Sequence, residues 1–397
     1  MSLQSLVISA CVLFFTVGAL NIAMLKYLHP DWWKNKLVRI SSRFLPLAVI
    51  GSAIIWALGY KYRLPYLSQP GAIFTPALLI LEMTLFVSFP FSGIVHSAAR
   101  IYERVQRKEN DGPIEFSESR RKFLTTASSI FPAVAMTAGI SGIVDSYGKI
   151  AVPIRHIPIA KLPSDLQGFK IAHLSDPHLG YYVNLDDLAA AVEDVKAYNP
   201  DLVLVTGDIS DDLKILPDAL NIIAQLKAPY GIYASVGNHE YYRGIRAVLK
   251  IFENGPFPIL INDHVNINIE SSRIFLGGAD DPRSLRKDYT QFLKNTIDIT
   301  MRDAPRESFK LLMCHRPEGL NHSALMGVNL VLAGHTHGGQ VGLAGRSLFE
   351  PIFPAKYMWG IYRHGTTTLH TSGGMGHWFP FRLGVPSEAP ILILEKA

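Results

Sequence analysis

Four apolar runs, Leu6 to Leu25, Phe44 to Tyr60, Ala72 to Val95 and Phe123 to Val144, constrain this chain more than any other feature. Each approaches the roughly 20 residues that a helix needs to cross a hydrocarbon core. Nothing comparable follows residue 146, so the membrane character is confined to the first part of a 397-residue chain. It also accounts for a positive mean hydropathy of +0.18.

Lysine and arginine are retained on the cytoplasmic side of such spans. The connection after the first run carries Lys26, Lys34, Lys36, Arg39 and Arg43, and the one after the third carries Arg100, Arg104, Arg107, Lys108, Arg120, Arg121 and Lys122. Only Lys61 and Arg63 stand between the second and third. This predicts a multi-pass membrane protein with both basic connections in the cytoplasm and the N-terminus and everything beyond the fourth run on the outer side. Residues 1–150 hold 15 basic against 8 acidic side chains, a net of +7, so the remainder of a +5 chain carries −2. The basic balance is therefore a topology signal, and nucleic acid is not expected as a partner.

Ser119 to Leu124 reads SRRKFL before an apolar run, which resembles a twin-arginine export signal, although three spans precede it. The other reading is a positive-inside anchor that pairs two arginines. Ala133, Val134 and Ala135 offer a cleavage-like A-x-A. Glu82 lies mid-span, where an ionised carboxylate is costly, and no complementary cation stands at matching depth in the other runs. Cys11 falls in a span and Cys314 downstream, which leaves no disulfide within the later domain.

After Tyr147, short Val/Ile/Leu-rich runs alternate with helical patterns, the signature of an α/β domain. Strands are predicted at Lys170–Leu174, Leu202–Val205, Ile232–Val236, Ile259–Ile261, Ile274–Leu276, Lys310–Met313, Leu330–Leu332 and Ile391–Leu394. Helices are predicted at Leu185–Tyr198, with Asn184 as N-cap, at Pro217–Lys227 and at Ile245–Phe252. The domains expected are 1–146 (four spans), 147–169 (linker and first strand) and 170–397.

Five of these strands run directly into chemistry-bearing residues: Asp176-Pro-His178, Gly207-Asp208, Gly237-Asn-His-Glu240, His315 and Gly334-His-Thr-His-Gly338. Ligand crevices in α/β sheets lie beyond the carboxyl ends of the strands. His and Asp on glycine-flanked turns suit borderline divalent ions such as Zn, Mn or Fe. In D-x-H and H-x-H an extended backbone sends residues i and i+2 to one side, so both side chains are expected to reach one small volume.

The ordered series resembles the calcineurin-like metallophosphoesterase superfamily, over about Lys170 to the C-terminus. The segments DPHLG, VGNHEYY, AGHTHGGQ and GGMG are similar to its bacterial phosphodiesterase branch, often exported. The resemblance implies a metallophosphoesterase β-sandwich flanked by helices, here preceded by four transmembrane helices. It also implies two divalent ions (Mn, Zn, Fe or a mixture). Asp176, His178 and His337 would hold one, Asn238, His315 and His335 the other, and Asp208 would bridge them. The implied reaction is phosphodiester hydrolysis by a metal-bridging hydroxide, with His239 facing the scissile phosphate and either protonating the leaving group or stabilising charge on it.

Asp211 and Asp212 read as solvated turn residues, Glu240 as a partner of the ligands, and Asp280 and Asp281 as loop chemistry. The aromatic segments Phe349 to Tyr362, with Phe353, Tyr357, Trp359 and Tyr362, and Trp378, Phe379 and Phe381 have two readings. They are packing, or an apolar rim turned to the bilayer and suited to a lipid-linked or cell-envelope phosphate ester. The competing functional class is a membrane sensor or scaffold using a catalytically silent phosphoesterase fold. The intact ligand series speaks against it.

Overall fold

The structure is a computed structural model of the chain. It describes residues 3–62, 64–109, 118–282, 289–352, 356–377 and 379–397, with backbone alone at 3–7, 103, 106–109, 118–122 and 124–125. The side chains of Arg120 and Arg121, and of Arg63, Arg107, Lys108, Lys122, Phe353 and Trp378, therefore lie outside the described residues. Two units result: Met1–Val144 with Phe379–Phe381, and Asp145–Trp378 with Arg382–Ala397.

The first unit is helical. Its helices run Leu3–Leu28, Pro30–Lys34, Lys36–Tyr62, Pro65–Glu109 and Glu118–Ser146. Four contain stretches long and apolar enough to cross a membrane: Ile8–Leu28, Lys36–Tyr62, Pro65–Tyr102 and Thr126–Ser146. The third of these helices continues well past its apolar stretch, through the basic segment to Glu109, despite Pro70, Pro76 and Pro90.

The second unit carries fourteen strands among its described residues. The first five are β1 (Ile154–Ile159), β2 (Lys170–Leu174), β3 (Leu202–Thr206), β4 (Ile232–Ser235) and β5 (Ile259–Leu260); then come β6 (Asp263–Ile269), β7 (Ser272–Gly278), β8 (Phe309–Met313) and β9 (Leu330–Ala333). A small hairpin, β10 (Gly342–Leu343) and β11 (Arg346–Ser347), precedes β12 (Gly360–His364), β13 (Thr367–Thr371) and β14 (Ile391–Lys396). One six-stranded sheet has the order β1-β14-β2-β3-β4-β5, and the other β12-β13-β9-β8-β7-β6. Strands β2 to β5 are mutually parallel, as are β7, β8, β9 and β13.

Strand alternation divides each apolar run between two cores. Leu202 and Leu204 of β3 face the same core as Leu311 and Met313 of β8 and Leu330 and Leu332 of β9, which is the seam between the sheets. Val203 and Val205 turn the other way, onto Leu188, Ala191, Val192 and Val195 of the helix Leu185–Lys196 and Ala219, Leu220 and Ile223 of Leu216–Ala224. Leu312, Val331 and Ala333 meet Leu293, Ile297 and Met301 of the helix Tyr289–Met301. The result is a helix-flanked sandwich of two mixed sheets. Asn184 caps the first helix, and its side chain accepts from the Asp186 and Asp187 amides, as its sequence position predicts.

Sequence periodicity does not reveal β6, β12, β13 or the helix Tyr289–Met301. Asp263–Ile269 sits at a sheet edge with half its residues polar, and β13 is rich in threonine, so neither presents a continuous apolar run. Their pairing is with β7 and β9, and tertiary context fixes it.

Candidate metal centre

Each expected ligand stands just past the carboxyl end of a parallel strand: Asp176 and His178 after β2, Asp208 after β3, Asn238 after β4 with the expected acid His239 beside it, His315 after β8, and His335 and His337 after β9. The two sheets meet here through the chain itself. The Asp176 amide donates to the Gly207 carbonyl at 3.2 Å and the Gly334 amide to the His315 carbonyl at 3.0 Å. Across the seam, the His335 amide donates to Asp176 Oδ1 at 3.0 Å.

The backbone that presents these side chains is not extended. Asp176 (φ 51°), His178 (φ 46°), Asp208 (φ 49°), His335 (φ 66°) and His337 (φ 48°) are all left-handed. Such angles are uncommon away from glycine and cluster at functional sites, where surrounding structure over-determines them. This corrects the expectation that D-x-H and H-x-H project together by strand alternation. The reversal at each residue aims the side chain instead, and it lets the H-x-H pair divide.

Three donor groups result: Asp176, His178 and His337; His178, Asp208 and His239; and Asp208, His315 and His335. His337 Nε2 is 3.5 Å from Asp176 Oδ1 and 3.2 Å from His178 Nε2. Asp208 Oδ2 is 3.2 Å from His315 Nε2 and 3.6 Å from His178 Nε2, which puts it between the two sides. Asn238 and His239 line the open cleft with Asp208, Tyr242, His335, Thr336 and His337.

These donors fit divalent ions by chemistry and by what is left unsatisfied. Among the described residues Asn238 Oδ1 and His315 Nε2 are buried without a hydrogen-bond partner, an expensive arrangement unless a further group completes it. Burial would depress His315, but Asp208 and Asp176 outweigh it and lift the imidazole to about 10. The carboxylates thus draw positive charge to this point. Burial and the Arg316 guanidinium hold His335 well below the ordinary histidine range, and burial with His178 does the same for His337. Neutral imidazoles are the form that binds metal.

Space is supplied by glycine at two close approaches. A Cβ on Gly334 would overlap Asp176 Oδ2 and Ser175 Oγ, and one on Gly237 would overlap Asp208 Oδ1 and stand 2.7 Å from His315 Nε2. Around the donors, His315 Nδ1 lies 2.8 Å from the Thr206 carbonyl and His178 Nδ1 lies 3.3 Å from Asp211 Oδ2, contacts that set the rings. Glu240 accepts from the amides of Asp208, Ile209 and Gly237 and so pins both turns, the partner role expected for it.

Other residues depart from their sequence readings. Asp211 is not a solvated turn residue: its carboxylate takes His239 Nδ1 at 2.6 Å, His178 Nδ1 and Arg243. Burial would raise this carboxyl, but hydrogen bonds from His178 and His239 outweigh it and hold it well below the usual range. Its spacing three residues after Asp208 was the available signal. Asp281 is buried and accepts from Arg316 Nε at 2.9 Å, while Arg316 Nη1 reaches His335 Nε2 at 2.8 Å. Arg382, fully buried, donates to the carbonyls of Gly373, Gly374, Gly376, Val385 and Pro386. That fixes the GGMG segment, whose Met375 and Gly376 amides bond the carbonyls of Ser175 and Asp176. No local pattern singles out either arginine.

Of the aromatic candidates, Trp359 is buried and donates to Glu388, and Tyr357 and Tyr362 pack ring to ring, so these serve packing. Apolar exposure near them falls on Leu343 (69%), Leu348 (51%) and Ile352 (77%).

Comparison with known proteins agrees with this geometry. Residues 169–339 match the calcineurin-like phosphoesterase family. An uncharacterized metallophosphoesterase of Bacillus subtilis (strain 168) is 30% identical over 297 residues, covering 70% of this chain and 98% of its own. A transmembrane protein with metallophosphoesterase domain from Danio rerio is 28% identical over 302 residues, 71% of this chain and 67% of its own. Among solved structures, a 5'-nucleotidase precursor from Thermus thermophilus aligns at a TM-score of 0.37 and 15% identity, over 53% of this chain; the chain spans about half (49%) of that structure. With four helices long and apolar enough to span a membrane and this donor set in its second unit, the chain belongs to the calcineurin-like metallophosphoesterases.

Proposed function

We propose that this protein is a membrane-anchored phosphodiesterase that uses two divalent ions. Its domains divide as 1–146, 147–169 and 170–397, and the catalytic part faces the outer side of a bacterial cytoplasmic membrane. The observation that carries the reading is the gathering of Asp176, His178, Asp208, His315, His335 and His337 into adjoining donor groups beside a cleft that Asn238 and His239 line. Asp176, His178 and His337 form one ligand set, Asn238, His315 and His335 the other, and Asp208 serves both. Divalent ions in such a site polarise a phosphoryl oxygen and lower the pKa of water, so that a nucleophile forms at neutral pH.

The chain's own residues do the rest. His239 lies at the cleft with Nδ1 on Asp211 and Nε2 4.0 Å from Asp208 Oδ2, so Nε2 is the atom that meets the substrate. It protonates the departing oxygen, and Asp211 holds the ring in place through Nδ1. Asp208 also accepts the His239 amide at 2.8 Å, which ties the acid to the shared carboxylate.

A lipid-linked phosphodiester is the substrate class these features favour. The four apolar helices confine the enzyme to a bilayer, and Leu343, Leu348 and Ile352 expose apolar surface in the segment just after His337. The distribution of Lys and Arg between the spans supports the outward orientation. The test is elemental analysis of the purified full chain joined to a hydrolysis screen over phosphomonoesters, soluble diesters and lipid-linked diesters. Two ions per chain with preference for lipid-linked diesters is the expected result. Equal rates on soluble nucleotide diesters would remove the lipid assignment, and intact metal without turnover would favour a silent sensor.

A further inference from the structure

The helical unit contains a second place where polar groups lack partners. Glu82 is 1% exposed, and among the described residues neither carboxylate oxygen has a hydrogen-bond partner. Asn21, 7% exposed, donates Nδ2 to the Glu82 carbonyl at 2.9 Å, while its own Oδ1 is buried and unpartnered. Both line a cavity of about 20 Å³ with Gly18, Ser42 and Pro46, and among the described residues no Lys or Arg lines it.

Two sequence details build this cavity. At Gly18 a Cβ would stand 2.6 Å from Glu82 Oε1, so the missing side chain keeps the space beside the carboxylate open. Pro46 sits inside the helix Lys36–Tyr62 and has no N–H, so the Ser42 carbonyl one turn earlier lacks its helical donor. Two oxygens of Glu82 and one of Asn21 are thus buried without a donor among the described residues, and Ser42, whose carbonyl lacks its helical donor, lines the same small space.

Protonating Glu82 would neutralise its charge, yet its single hydroxyl could satisfy only one of the remaining buried oxygens. A cation satisfies such oxygens together, and hard cations take oxygen ligands. One carboxylate balances one positive charge; a divalent ion would leave an uncompensated charge at hydrocarbon depth, which is costly. The volume admits about one water-sized body.

We propose that the helical unit holds a binding site for a small monovalent cation of sodium's size, formed by Glu82, Asn21 and the Ser42 carbonyl. The site is independent of the phosphoesterase centre.

The test is hydrogen exchange by mass spectrometry on the full chain in detergent, with sodium chloride against choline chloride at equal ionic strength. In the natural sequence, sodium slows exchange saturably in peptides containing Asn21, Ser42 and Glu82, and choline does not. Glu82→Gln keeps the choline pattern but loses the sodium response, and Glu82→Asp raises the half-saturating sodium concentration about tenfold. Protection that is the same in both salts, or a sodium response retained in full by Glu82→Gln, overturns the proposal: the cavity then holds water or nothing.

Discussion

Asp211 Oδ1 stands 2.6 Å from His239 Nδ1, and the other oxygen of the same carboxylate stands 3.3 Å from His178 Nδ1. One side chain thus orients both the candidate acid and a candidate ligand. Replacing His239 by Ala should lower kcat by about 10² to 10⁴ while metal content is unchanged. Asp211→Asn should cost about 10 to 100-fold, with metal affinity also weakened because His178 loses its anchor. Rate and metal stoichiometry measured on both variants separate the roles. An Asp211→Asn enzyme with unaltered kcat and metal would show that the contact has no mechanistic part.

Asp208 approaches His315, His178 and His239, so its loss should be felt on every side of the cleft. Asp208→Ala is expected to reduce both bound metal and turnover by more than about 100-fold. Chelation of the natural enzyme should abolish hydrolysis and lower its melting temperature. The stabilisation removed is about 2.7 kcal/mol if free metal stood at 100 times its Kd. Elemental analysis and thermal unfolding before and after chelator read both effects.

Arg382 binds five backbone carbonyls from a fully buried position and lies on none of the metal ligands. Arg382→Met leaves those carbonyls in a dry environment and should destabilise the unit by about 3 to 5 kcal/mol. Arg382→Lys, with fewer donors in a different geometry, should recover only part of this. Denaturant unfolding followed by intrinsic fluorescence gives both values.

Leu343, Leu348 and Ile352 present exposed apolar surface in the segment that follows His337. Changing all three to Ser should leave hydrolysis of a short soluble diester within about twofold. It should reduce that of a lipid-linked diester by at least about tenfold, since each buried aliphatic side chain contributes about 1.5 to 3 kcal/mol. Equal losses on both substrates would instead indicate a folding defect.

Much of this protein is set locally along the chain. Four apolar runs, the strands β2, β3, β4, β8, β9 and β14, and the candidate donor side chains are all visible in the sequence, because a spanning length, a Val/Ile/Leu run and a His or Asp after it are properties of neighbouring residues. Which donor meets which was decided elsewhere. His178 and His337 are 159 residues apart, and only parallel pairing within each sheet and the seam between them bring their rings to 3.2 Å. The left-handed turns that divide His335 from His337, the change of Asp211 from turn residue to hydrogen-bond hub, and the burial of Arg382 among carbonyls depend on groups supplied by distant strands and loops. Local sequence fixes what a side chain can do; the packing of two sheets fixes what it finds within reach.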